Sequence, residues 1–484
     1  MPKQLLRLIA ATVLVLLPVA SEALPIDWHG SFGVDSTIIS DFRRIKSKEI
    51  NSVSDGSQEA PLDTGKKGSA SWQSYIFRLS PTMVINDAAT FFGELSTGYA
   101  NGGYLGDSPQ TDLAGSNNAP LHYHNQAQGQ NVNIKKAYLE LYSDTATYMV
   151  GRHSYEWGSG AIFNSGNNAW DRHFSSRDGI TMKLKIGNFH VSPYWSKTSN
   201  PGYTDATNTK EYGAGLLYDN QEKDIAFGIL YGKKSSNSFN PYTTTINSAA
   251  AVSLGENNIT ITDLYLKKVF DKFDMALEVP LMSGDLGKTS NAGTLTTYSA
   301  KAFLLQTNYR HNDAWTFGFD GGQVSGHDGS TTKFGALYLN PNYQIANLLF
   351  RYNIIALGTA NKTISVYDSY ITNARYYKLR MAYTAEKWTF DSAVIMAKAM
   401  EVATAGASAY NHTKNKVFVA TTSQSDDIGK EIDFNAKYNW NKEISIGTGL
   451  GYLITGDYFS YTNTATPNAK KSSLLLQINT AVTF

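Results

Sequence analysis

The chain has 484 residues with 42 basic against 41 acidic side chains and no cysteine. Near-neutral charge excludes a global field that would draw it to nucleic acid or an acidic surface. The missing thiols exclude a lipoprotein anchor, a disulfide framework, thiolate metal sites and cysteine catalysis.

At the N-terminus, Lys3 and Arg7 precede the apolar run Leu8 to Leu17, and Ser21-Glu22-Ala23 offers small residues where a signal peptidase reads. This pattern predicts a secretory signal peptide over residues 1–23, with cleavage after Ala20 as the alternative, and one domain over 24–484. No later stretch of about 18 apolar residues offers a membrane helix. Aromatic residues at 12%, 40 Gly and only 13 Pro leave a large soluble β protein or a barrel apolar on its outer face alone.

Two-residue alternation then recurs along the chain. Ile180, Met182, Leu184 and Ile186 alternate with Thr181, Lys183 and Lys185. Ile225, Phe227, Ile229 and Tyr231 alternate with Ala226, Gly228, Leu230 and Gly232, and Phe273 to Met282 repeats the pattern. Ile432, Phe434, Ala436, Tyr438 and Trp440 alternate with Glu431, Asp433, Asn435, Lys437 and Asn439. The last run puts Leu474, Leu476, Ile478, Thr480, Val482 and Phe484 on one face. Such strands meet an apolar medium on one side and a wet one on the other.

Connection lengths separate a barrel from a sandwich. Short turns are predicted at Asn86-Asp87, Ser143-Asp144, Gly187-Asn188, Asp219 to Lys223, Asp271-Lys272, Asn312-Asp313, Glu386-Lys387 and Asn441-Lys442. Long connections fall near 43–69, 102–131, 155–176, 200–208, 236–256, 285–296, 328–369, 402–427 and 458–469, rich in Gly, Ser, Asn and Thr. Short turns on one rim and long loops on the other are the habit of transmembrane barrels. The fold class predicted is therefore all-β, a transmembrane antiparallel barrel of about 18 strands (range roughly 16–20), with short periplasmic turns and long extracellular loops. Both termini fall on the short-turn side and can close the sheet, which matters because each unsatisfied backbone group in hydrocarbon costs several kcal/mol. Trp28, Trp315, Trp388, Trp440, Tyr218, Tyr309 and Tyr383 sit where a periplasmic aromatic girdle belongs.

Parity assigns the charged strand residues to the lumen, because Lys or Arg at mid-depth on the lipid face costs about 2–4 kcal/mol. The candidate wall includes Arg78, Glu94, Lys183, Lys185, Arg310, Lys378, Arg380, Glu431, Asp433 and Lys437, joined by Lys136, Glu140, Glu211, Asp263, Lys267, Asp274, Glu278, Asp320 and Asp391. Mixed signs predict an aqueous lumen of weak ion selectivity. The segment Ala336 to Gly358 is too apolar for a surface loop and implies a gate, a partial plug or an extra strand pair.

Ala137-Tyr138-Leu139-Glu140-Leu141, Gly151-Arg152 and Trp157-Gly158, with Glu431-Ile432-Asp433, Gly447-Thr448-Gly449-Leu450-Gly451-Tyr452 and Gly456-Asp457 near the end, resemble the alginate-export and related porin-type barrels. The matching motifs cover about a quarter of the chain, and the balanced lumen departs from the basic one an exporter of an acidic polymer needs. The resemblance implies an outer-membrane channel, monomeric or trimeric, of a Gram-negative cell. Porin-type barrels commonly fold their third long loop inward, which would make Arg152, Glu156, Asp171, Arg172, Arg177 and Asp178 candidate constriction residues; an extracellular loop with internal salt bridges is the alternative.

The partners expected are outer-membrane lipid and lipopolysaccharide, the barrel-assembly machinery through the strand ending at Phe484, and small hydrophilic solutes. Nucleic acid, cofactors and metals are not expected. His122 and His124, with Asp107 and Asp112 upstream, form no recognisable catalytic or metal motif. An occluded barrel acting as a surface receptor or adhesin through its long loops is the alternative to a channel.

Overall fold

The computed structural model describes residues 24–41, 57, 69–98, 103–105, 132–199, 209–236, 256–288, 295–353, 365–464, 466–467 and 470–484. The expected signal peptide, His122, His124, Asp107, Asp112 and most of the loops 43–69, 102–131 and 236–256 lie outside the described residues.

In chain order the strands are β1 Ile26–Ser40, β2 Ser69–Asn86, β3 Ala89–Thr97, β4 Asn133–Tyr142, β5 Ala146–Ser154, β6 Ser176–Ile186, β7 Phe189–Ser199, β8 Thr209–Asn220 and β9 Ile225–Ser236. They continue as β10 Asn257–Phe270, β11 Phe273–Lys288, β12 Leu295–Arg310, β13 Trp315–Val324, β14 Lys333–Phe334, β15 Ala374–Ala385 and β16 Trp388–Ala399. The last are β17 Ser408–Asn411, β18 Lys416–Val419, β19 Asp427–Asn439, β20 Ile444–Thr455 and β21 Ser473–Thr483.

Nineteen of these share one sheet, and β14 is a two-residue parallel spur on β12, which leaves eighteen wall strands. Each wall strand pairs antiparallel with its neighbours. The circle closes where β1 meets β21, from Ser31 opposite Thr483 to Ser40 opposite Leu474. Gly30 and Phe484 exchange backbone hydrogen bonds of 2.8 and 3.0 Å at the end of that seam. The small hairpin β17–β18 stands apart in the eighth long loop.

All eight short turns fall where the sequence puts them, and their chemistry is visible. Asn312 accepts from the amides of Ala314 and Trp315, and Asn441 from those of Glu443 and Ile444, so each side chain replaces a missing ladder partner. Gly187, at φ +59°, takes the left-handed conformation the β6–β7 turn requires.

The outer wall presents Ile180, Leu216, Phe227, Leu379, Ile432, Phe434, Leu476 and Ile478 outward. Trp28, Trp388, Trp440 and Tyr309 stand exposed at the short-turn rim, as expected of a girdle. The densest apolar packing is inside the tube. The seventh long loop enters the lumen, where Leu337, Leu339, Ile345, Leu348 and Leu349 pack with Leu304, Tyr376 and Ile395 of the wall. Among the described residues of Ala336 to Gly358 no strand joins the wall, so the count stays at eighteen.

Candidate functional site: the junction of two inward loops

Loop 155–175 and the described residues of loop 325–373 (325–353 and 365–373) enter from the long-loop rim and meet inside the barrel. Asn342 is the hinge pin between them. Its carboxamide oxygen accepts from the amides of Arg172 and His173, each at 3.2 Å, and its nitrogen donates to Asn164 Oδ1 and the His173 carbonyl. The Asn340 amide donates to the Ala161 carbonyl at 2.7 Å.

Buried carboxylates on the inner wall fasten both loops. Glu278 of β11 takes the Ser159 amide at 2.6 Å. This approach needs Gly158, whose φ is +62° and where an added Cβ would stand 2.6 Å from the Glu278 carboxylate. On the far side, Glu431 of β19 accepts the amides of Leu348 and Leu349 at 2.6 Å each, and Asp433 accepts the Asn347 amide at 3.0 Å. Apolar loop residues can enter the lumen because these carboxylates satisfy the backbone groups that enter with them.

The closing seam supplies the third fastening. Arg172, 5% exposed, donates to Asp35 of β1 at 3.0 Å, to Ser74 of β2 at 2.7 Å and to the Gly98 carbonyl at 2.9 Å. Its guanidinium lies 3.9 Å over the Tyr367 ring, whose hydroxyl donates to Asp35 at 3.1 Å. Arg78 donates to the Asp171 carbonyl at 2.7 Å. Beside this knot, on the lumen side of the seam, lies a cavity of about 310 Å³ lined among others by Asp35, Asp171, Arg172, Arg351, Gln477 and Asn479.

Of the six candidate constriction residues, the structure gathers four within the barrel. Glu156 accepts from the Ser165 hydroxyl, and Asp171 and Arg172 join the knot. Arg177 is buried between the rings of Tyr155 and Tyr194, 3.5 and 3.2 Å from their centroids. Arg152 and Asp178 depart from the expectation. Both belong to strands, β5 and β6, and share parity with outward Val150 and Ile180. They form a bidentate ion pair at 2.7 Å on the outer wall, 47% and 44% exposed.

The candidate wall residues keep the inward face but divide by height. Glu431 and Asp433 are buried under the seventh loop and line no open path, contrary to the sequence reading. Arg78 is spent on loop 155–175, and Glu94 is paired to Lys136 at 2.8 Å. Arg380 faces Asp320 at 3.4 Å, with Lys378 opposite Asp320 in the ladder. Lys183, Lys185, Arg310 and Lys437 are exposed towards the short-turn mouth. The sequence reading missed Asp35, Ser74, Asn342, Arg351 and Tyr367. Asp35 carried a signal, since Gly33, Asp35 and Thr37 alternate with Val34, Ser36 and Ile38.

A closed antiparallel barrel of eighteen strands, apolar on its outer face, with a short-turn and a long-loop rim, has the architecture of an outer-membrane-type β-barrel. No family model matches the chain, and no curated protein matches it in sequence. Solved structures similar to it include OccK2 (OpdF) of Pseudomonas aeruginosa, with a TM-score of 0.48 at 11% identity, over 95% of this chain and 98% of that one. The BenF-like porin of Pseudomonas fluorescens Pf-5 gives 0.48 at 11%, over 95% and 99%. OccK5 (OpdH) of P. aeruginosa gives 0.47 at 10%, over 95% and 98%. The assignment of the fold rests on the strand pairing above.

Proposed function

We propose that the protein is a channel for passive diffusion of small hydrophilic solutes through the barrel lumen, narrowed by loops 155–175 and 325–373. One observation carries this reading: the two loops leave a polar cavity against the β1–β21 seam, bordered by Asp35, Asp171, Arg172 and Arg351. Two cations facing two carboxylates favour weak ion selectivity. Residues 1–23 act as the cleaved signal, the strand ending at Phe484 is offered to the assembly machinery, and lipid and lipopolysaccharide surround the wall. Monomer and homotrimer are both compatible with this reading. No catalytic step, cofactor or metal is part of it.

The test is single-channel conductance of the refolded mature chain in a planar bilayer under a salt gradient, with sugars and organic anions as blockers. Discrete steps with a small reversal potential are expected. A silent bilayer from correctly folded, heat-modifiable protein would overturn the channel and favour the receptor reading.

A further inference from the structure

Where the two inward loops meet they divide the lumen, and only the side against the β1–β21 seam enters the reading above. Counted round the eighteen wall strands, β9 and β10 lie opposite that seam. There, in the long-loop half of the tube, a second cavity of about 540 Å³ is bounded by β8 to β12, by both loops and by the hairpin β17–β18.

Its wall is apolar where a water-filled lumen would be polar. Tyr231 of β9, Leu264 of β10 and Leu281 of β11 are exposed on the outer face, so parity turns Gly232, Ile259, Ile261 and Met282 inward. Ile259 and Met282 are only half-buried despite facing the inside of the tube. From loop 155–175, Ile162 and Phe163 border the same space.

The remaining lining is aromatic, and its hydroxyl donors are already spent. Tyr298 donates to the Ala336 carbonyl at 3.1 Å, and Tyr338 and Tyr410 donate to Asn415 Oδ1 at 3.0 and 3.3 Å. Phe334 stands 5.8 Å from both the Tyr298 and the Tyr410 ring, and Tyr338 meets Tyr370 edge-on at 5.8 Å, so the rings brace one another. Charge at the border comes in one of each sign, because Glu211 and Lys234 stand opposite each other on a β8–β9 rung.

Size and chemistry select the occupant. An apolar cavity of about 150 Å³ is enough for benzene, and this one is several times larger. A charged solute would give up its hydration to a lining mostly of carbon, and a sugar would leave hydroxyls unpaired. Flat rings instead find aromatic faces and edges held in place to receive them. We propose that this recess binds an uncharged, flat compound of two or three fused rings, at a site separate from the polar cavity at the seam. The site goes beyond passive diffusion and does not depend on it, since occupancy is read whether or not the lumen conducts.

The test is methyl NMR of the refolded chain in detergent micelles, with methyl-labelled methionine and indole as the titrated probe. Met282→Leu identifies the Met282 signal, while Met381 and Met396, exposed on the outer wall, report indole dissolved in the micelle. The Met282 signal is expected to shift and saturate, and those of Met381 and Met396 to drift without saturating. Indole-3-carboxylate, the same rings with a negative charge, is expected to bind at least roughly tenfold more weakly, and glucose to leave Met282 unmoved. Ile259→Trp, which fills the recess, is expected to abolish saturation in protein that remains heat-modifiable. A Met282 signal that never saturates, or a carboxylate or sugar that matches indole, overturns the site in wild type alone, whatever the variant does. Undiminished saturation in folded I259W overturns its location. A silent bilayer together with a saturating Met282 signal would overturn the channel and leave this site standing.

Discussion

At the residue scale, Arg172 shows how much one side chain can hold together. It joins loop 155–175 to β1 and β2 through charge-assisted bonds and stacks on Tyr367 of the other loop. Removing one partner of a buried ion pair strands the other, at about 3–5 kcal/mol. Arg172→Ala is therefore expected to loosen both loops, giving larger and noisier conductance steps and a lower unfolding temperature while the barrel stays heat-modifiable. Gly158→Ala acts at the opposite fastening. A left-handed backbone costs about 1–3 kcal/mol for a residue with a Cβ, and the new methyl meets Glu278. Conductance is expected to rise with no change in gel mobility of the folded barrel. Arg152 and Asp178 teach a different lesson at this scale. Read as loop residues they looked like a pore constriction. Because β5 runs to Ser154 and β6 starts at Ser176, the parity that sends Ile180 outward sends Asp178 outward too.

At the scale of elements, strands and turns were legible because both are local. Alternation of period two needs no knowledge of the partner, and Asn312 or Asn441 caps its own turn. The path of the seventh loop was legible only as a misfit, an apolar run where water was expected. What places it is a set of bonds to Glu431 and Asp433, some 85 residues away in sequence, and no periodicity reports such bonds. Replacing Glu431 with Ala is expected to speed hydrogen exchange at the Leu348 and Leu349 amides by roughly one to two orders of magnitude, given about 1–3 kcal/mol for a buried group left unsatisfied.

A second contact of the same loop is sensitive to acid. The His327 amide donates to His412 Nε2 at 2.9 Å, which requires a neutral His412 ring. Burial lowers His412 to about 3 and His327 to about 4, from an ordinary 6.5, with Asp328 opposing the shift at His327. A folded-state pKa below the unfolded one stabilises this seam above pH 6.5 and loses that contribution as pH falls towards the folded values. Conductance noise and exchange in loops 325–373 and 400–426 are thus expected to grow as pH is lowered from about 6.5 to 4. His412→Gln is expected to flatten that dependence.

At the scale of the whole molecule, wall and filling are held by different forces. The wall is a hydrogen-bonded circle whose outer side chains face lipid, whereas the apolar cluster of Leu337, Leu339, Leu348 and Leu349 lies within the circle. Truncating two of these leucines to Ala is expected to cost about 2–5 kcal/mol each. Calorimetry should show that loss in a low-temperature transition of the loops, with the transition of the wall unmoved. A single shifted transition would contradict the separation.

The proposed aperture also has an address that bears on biogenesis. The cavity lies against Asp35, Gln477 and Asn479, which belong to the two strands contributed by opposite ends of the chain. Until Ser31 and Thr483 find each other, the cavity beside Arg172 and Asp35 lacks the side that Gln477 and Asn479 supply. On the proposed reading, sealing the tube and defining its bore are therefore one event, since the same two strands close the wall and border the cavity.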